Sequence, residues 1–68
     1  MGIEKHIQVT GTSSVSWKDA IVHTIEEVAK TINYITSVKI IEQRAKVTGN
    51  KMTEYYVDLD IVFMVEAK

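Results

Sequence analysis

Asp58 and Asp60 stand two residues apart in the run YYVDLDIVFMV, residues 55 to 65. On a strand that interval turns both carboxylates to one face, about 7 Å apart. Both can then reach one hard cation if another strand or subunit adds oxygens, since calcium takes roughly six to eight of them. The same pattern also serves as a solvated strand face, or as the acidic half of ion pairs with Lys39, Arg44 or Lys46. No EF-hand-like loop accompanies the pair, and His6 and His23 lack the spacing of a zinc site.

A second stretch, VTGTSSVSWKDAI at residues 9 to 21, concentrates five hydroxyl side chains and the only tryptophan. A phosphate-binding loop needs a second glycine and a lysine after Gly11, and neither follows at the required spacing. A serine nucleophile needs a base and an orienting acid, yet His6 and His23 stand in no such context. The chain is therefore expected not to be an enzyme. Ser16 instead sits just before a helical period with Asp19 three residues on, the arrangement of an N-cap with an acid in the first turn. Val15 and Ala20 are placed as a weak hydrophobic staple around that cap, and Trp17 reads as the largest core plug. Thr10 to Ser13 read as a strand exit, with Gly11 permitting a sharp turn.

Four elements must position these groups. Residues 3 to 10 alternate, with Ile3, Lys5, Ile7 and Val9 on one face, as in a half-buried strand. From Trp17 to Ile32 the apolar residues recur at helical steps, while Glu26 is placed to pair with Lys30 on the solvated face. After a break at residues 33 to 36, SVKIIEQRAKV predicts a second strand whose doubled Ile40 and Ile41 imply a bulge, a bend or burial on both faces. TGNK, residues 48 to 51, is a tight turn into a long third strand from Met52 to Glu66. Its odd positions, Tyr55 to Val65, are almost all apolar; its even face turns apolar only at Val62 and Met64.

The order strand, helix, strand, strand predicts an α+β fold. A three-stranded antiparallel sheet packs on one helix, with the third strand in the middle. One helix covers one sheet face, so Val62 and Met64 need a cover from outside the protomer. At 68 residues the chain reads as a single domain, residues 1 to 68, too small to be stable without a staple. It has no cysteine, which leaves oligomerisation. Eight basic and nine acidic residues are interspersed without a basic stripe, so nucleic acid is not expected as a partner. No apolar run reaches the roughly 20 residues that span a bilayer, so no membrane is expected and the chain reads as cytoplasmic.

The hydroxyl-rich opening, the helix ending near NYI, the segment VKIIEQ and the run YYVDLDIVFMV together resemble the dodecins, small flavin-binding proteins. The likeness covers nearly the whole chain. It implies a curved sheet on one helix, twelve protomers in a hollow homododecamer, and non-enzymatic storage of a small ligand, riboflavin or FMN. In the family, flavins stack on a tryptophan near the start of the second strand and are hydrogen-bonded by a glutamine of the third. Those positions fall on Ser37 and Tyr56 here. The resemblance implies cofactor-binding positions at Ser37, Val38, Glu42, Gln43, Lys46 and Tyr56, with Tyr56 either stacking on a ligand or filling the pocket itself. Some members lack the tryptophan, and calcium binding has been proposed for that branch, which the Ser16–Trp17 pair also resembles. Asp58 and Asp60 would then be metal ligands. A purely structural shell with vestigial pockets is the remaining alternative.

Overall fold

The computed structural model describes residues 2–66. The chain forms β1 (Gly2–Ser13), α1 (Trp17–Ala29), β2 (Ile35–Thr48) and β3 (Lys51–Glu66). They make one antiparallel sheet in the order β1-β3-β2, with the apolar third strand central, as its alternation requires.

α1 begins where the cap signal places it. Ser16 is extended, at φ −168° and ψ 165°, and its hydroxyl accepts the Asp19 N–H at 3.0 Å. The staple does not form: Val15 is 71% exposed while Ala20 is fully buried. Buried Ser13 replaces it. Its hydroxyl donates to Asp19 Oδ2 at 2.6 Å and accepts the Val15 N–H at 2.9 Å. The helix ends at Ala29, short of the Ile32 expected, because its last turn tightens. The Lys30 and Thr31 N–H groups donate to the carbonyls of Glu27 and Val28, three residues back. Lys30 Nζ then pairs with Glu27 at 3.0 Å rather than with Glu26.

β1 also runs further than the alternation suggested, pairing through Ser13↔Tyr55. Gly11 is therefore no turn. It lies within the strand opposite Val57, where a Cβ would collide with the Thr24 hydroxyl and stand 3.1 Å from the Ala20 carbonyl. The glycine permits close approach of helix and sheet. At the β2–β3 hairpin, Gly49 (φ 59°) and Asn50 (φ 63°) are both left-handed between the paired Thr48 and Lys51. That is the two-residue turn whose twist matches the strands.

The core is small. Ala20, Val57, Leu59 and Ile61 are fully buried, with Ile7, Val9, Ile21, Val28, Ile35 and Val38 packed around them. Trp17 joins at the edge instead of plugging the centre. Its indole N–H donates to the Arg44 carbonyl at 2.8 Å, and its ring meets Tyr55 edge-on at 5.0 Å, so it ties α1 to β2. A 13-residue helix is about 20 Å long, whereas the molecule extends 55 Å. The radius of gyration, 14.2 Å, exceeds the ~11 Å of a compact chain this size. Apolar groups beyond the helix stay open: Ile40 is 47% exposed, Met52 50% and Val47 61%. Val62, expected to await an outside cover, is already buried between its ladder partners His6 and Ser37.

Candidate functional site

The sheet face turned away from α1 carries the candidate chemistry, and a bulge in β2 assembles it. Lys39 pairs with Asp60 and Ile40 with Leu59, but Glu42 pairs with Asp58, so Ile41 is the extra residue. The shift leaves Ile40 on the helix side and sets Glu42, Arg44 and Lys46 on the open face beside Asp58, Tyr56 and Glu54. The isoleucine doublet is therefore a bulge, one of the three readings its sequence allowed.

Arg44 is the centre of this face. Its Nη2 donates to Asp58 Oδ1 at 3.0 Å and its Nε to Asp58 Oδ2 at 3.3 Å, a two-pronged grip on the carboxylate. Glu42 approaches the same guanidinium at 3.6 Å, and the guanidinium carbon lies 5.3 Å from the centre of the Tyr56 ring. Thr10 donates its hydroxyl to Asp58 Oδ1 at 2.7 Å from the other side. The Arg44 bond first, and the Thr10 bond second, hold the Asp58 carboxyl below the ordinary carboxylate value.

Asp60, one pleat along, belongs to a different cluster. His6 Nδ1 lies 2.8 Å from Asp60 Oδ2 and His6 Nε2 3.1 Å from Glu4 Oε1, so the ring, when protonated, donates to both carboxylates. The Asp60 bond chiefly, with Glu4 adding, raises the His6 pKa above 6.5. Asp58 and Asp60 share a face, as their spacing required, yet each is engaged by its own cation. Among the described residues no group of three or more His, Asp or Glu gathers as a metal-ligand set.

The six positions implied for a flat cofactor do not gather in one place. Ser37 pairs with Val62 and Tyr56 with Arg44, six positions apart on β3, or about 20 Å on the same face. Glu42 and Lys46 stand with Tyr56 on the open face. Val38 turns to the helix side against Ile61, and Gln43, exposed, shares that side with Val57. One protomer therefore does not bring Ser37 and Tyr56 to a common ligand.

Sequence reading placed Arg44 only as an ion-pair partner, weighed His6 only as a base or zinc ligand and set it aside, and gave Thr10 and Glu4 no site role. The signal for Arg44 was the isoleucine doublet, which shifts the alternation so that arginine, tyrosine and aspartate share one face. Thr10 and His6 needed the β1–β3 register, which nothing local encodes.

The dodecin family model matches residues 3–66. The chain belongs to the dodecin family. The dodecin fold recurs in solved structures. A Thermus thermophilus protein superposes with a TM-score of 0.92 at 24% identity, each chain covered completely. A dodecin from Streptomyces coelicolor gives 0.91 at 16% identity, with 98% of this chain and 96% of that one covered. A calcium dodecin from Mycobacterium tuberculosis, described as calcium-chelating with a novel calcium-binding site, gives 0.81 at 25% identity over 94% and 91% of the chains. Comparison with curated proteins gives no match. No helix among the described residues is long and apolar enough to cross a membrane.

Proposed function

We propose that this dodecin is a cytoplasmic, non-enzymatic binding and storage protein, assembled as a homododecamer, that holds a small flat ligand of the riboflavin or FMN class in sites completed between protomers. The observation that carries the reading is the ~20 Å separation of Ser37 and Tyr56 on one rigid sheet face. A site that uses both positions needs at least two copies, and the uncovered Ile40, Val47 and Met52 supply apolar surface for such copies to bury. Tyr56, half-buried under Arg44, offers a ring in place of the family's glutamine, while Glu42 and Lys46 add one charge of each sign.

The test is a titration of riboflavin into the metal-free protein, followed by quenching of flavin fluorescence, with light scattering on the same sample. A mass near twelve chains and saturable quenching approaching one flavin per chain are expected. Absence of quenching at tens of micromolar overturns the flavin reading.

The calcium reading draws support from the Mycobacterium tuberculosis relative. Against it stand the Arg44 and His6 partners of Asp58 and Asp60, which a calcium ion must displace. Calorimetric calcium titration of wild type and Asp60→Asn decides it. A saturable heat lost in the variant favours calcium; silence in both this titration and the flavin one leaves a structural shell.

A further inference from the structure

Among the described residues, two non-glycine residues have left-handed backbones, Asn50 in the hairpin turn and Tyr34 in the link from α1 to β2, at φ 62°. Asn tolerates that conformation, but a bulky aromatic is disfavoured there by its own Cβ. The link is pinned all the same. The Tyr34 carbonyl accepts the Met64 N–H at 3.1 Å, and the next residue, Ile35, pairs with Phe63. The side chain is 79% exposed, so its ring adds little to the protomer's own packing. A residue that suits the backbone poorly and the core hardly at all is best explained by something outside the chain.

The surroundings say what that is. Tyr34 borders a concavity of about 380 Å³ that it lines with Gly2, Thr36, Met64, Val65 and Glu66. That is within the range of small-molecule sites, mainly apolar with few polar groups. Met64 stands on the open face two residues from Val62, the ladder partner of Ser37. The concavity thus lies at the Ser37 end of the face, where this chain has no aromatic at position 37.

We propose that Tyr34 is the aromatic platform on which a flat heteroaromatic ligand stacks at this end of the sheet. The Met64 thioether lies against the ligand's ring, and Glu66 accepts a hydrogen bond from a ring N–H. The proposal rests on the ligand-storage reading above and assigns the stacking group that Ser37 does not supply. A left-handed backbone clamped to β3 holds the ring outward without support from the core.

The test compares wild type with Tyr34→Phe and Tyr34→Asn by riboflavin fluorescence titration, thermal melting and light scattering. Tyr34→Phe keeps the ring and is expected to bind like wild type. Tyr34→Asn relieves the backbone and removes the ring. It is expected to melt no lower than wild type while binding riboflavin about tenfold more weakly. Those opposite signs distinguish a ligand platform from a structural residue. Equal affinity in Tyr34→Asn and wild type overturns the proposal and leaves the storage reading standing. Smaller assemblies in Tyr34→Asn overturn it in favour of a contact between protomers. Absence of quenching by wild type overturns the storage reading and this proposal with it.

Discussion

Arg44 grips Asp58 through two nitrogens, at 3.0 and 3.3 Å, while its guanidinium covers the ring of Tyr56 at 5.3 Å. One side chain thereby neutralises a candidate metal ligand and occupies one side of a candidate stacking residue. The family's ligand chemistry meets a preformed ion pair here. Arg44→Lys keeps the charge but loses both the fork and the stacking. At this exposed site it is expected to lower the urea unfolding midpoint only slightly. In a double-mutant cycle with Asp58→Asn, a coupling near zero would show that the pair adds nothing.

Gly11 is expected to be intolerant of any side chain. In Gly11→Ala the new methyl meets the Thr24 hydroxyl and the Ala20 carbonyl, so α1 must lift from β1. Overpacking of this kind costs about 1 to 3 kcal/mol. Adding Thr24→Ala to Gly11→Ala removes the worst contact and should restore part of the loss in a thermal melt. A fully stable single variant would refute the close approach.

His6 makes stability depend on pH. Its pKa is raised in the folded chain, mainly by the Asp60 bond, above the ordinary 6.5. Its contribution is therefore complete below the ordinary value and lost as pH rises through the folded one. Melting temperature is expected to fall between mildly acidic and mildly alkaline buffer, and His6→Asn to flatten that part of the profile. An unchanged slope in the variant would remove His6 as its source.

Asp58 works in the opposite sense. Its pKa is depressed, first by Arg44 and then by Thr10, so its contribution is present above the ordinary carboxylate value and lost as pH falls through the folded one. Thr10→Val removes one of the three bonds and should shift the acid unfolding midpoint upward. Acid titration followed by circular dichroism measures it.

The entry to α1 depends on two serines of unequal weight. Ser16→Ala removes one cap bond and is expected to cost about 1 kcal/mol. Ser13→Ala, at a buried site, removes the bond to Asp19 and the acceptor of the Val15 N–H together and is expected to cost about 1 to 3 kcal/mol. Urea midpoints that rank the two in reverse would refute the buried role of Ser13.

Sequence alone determined what rests on neighbours a few residues apart. Period two in β3, period three to four in α1, Ser16 with Asp19, and the Gly49–Asn50 turn each depend on contacts within about four residues. The strand order followed once one helix had to cover one face. Tertiary structure decided what depends on partners distant in the chain. The β1–β3 register gave Asp58 to Thr10 and Asp60 to His6; the bulge at Ile41 brought Arg44 to Asp58 and Tyr56. Gly11 reads as a turn residue until a helix is laid against it, and Trp17 as core until its N–H finds the Arg44 carbonyl. Residue types determine which pairings are possible, but which cation meets which carboxylate is a matter of register. Register is a property of two strands at once, and one strand's sequence does not contain it.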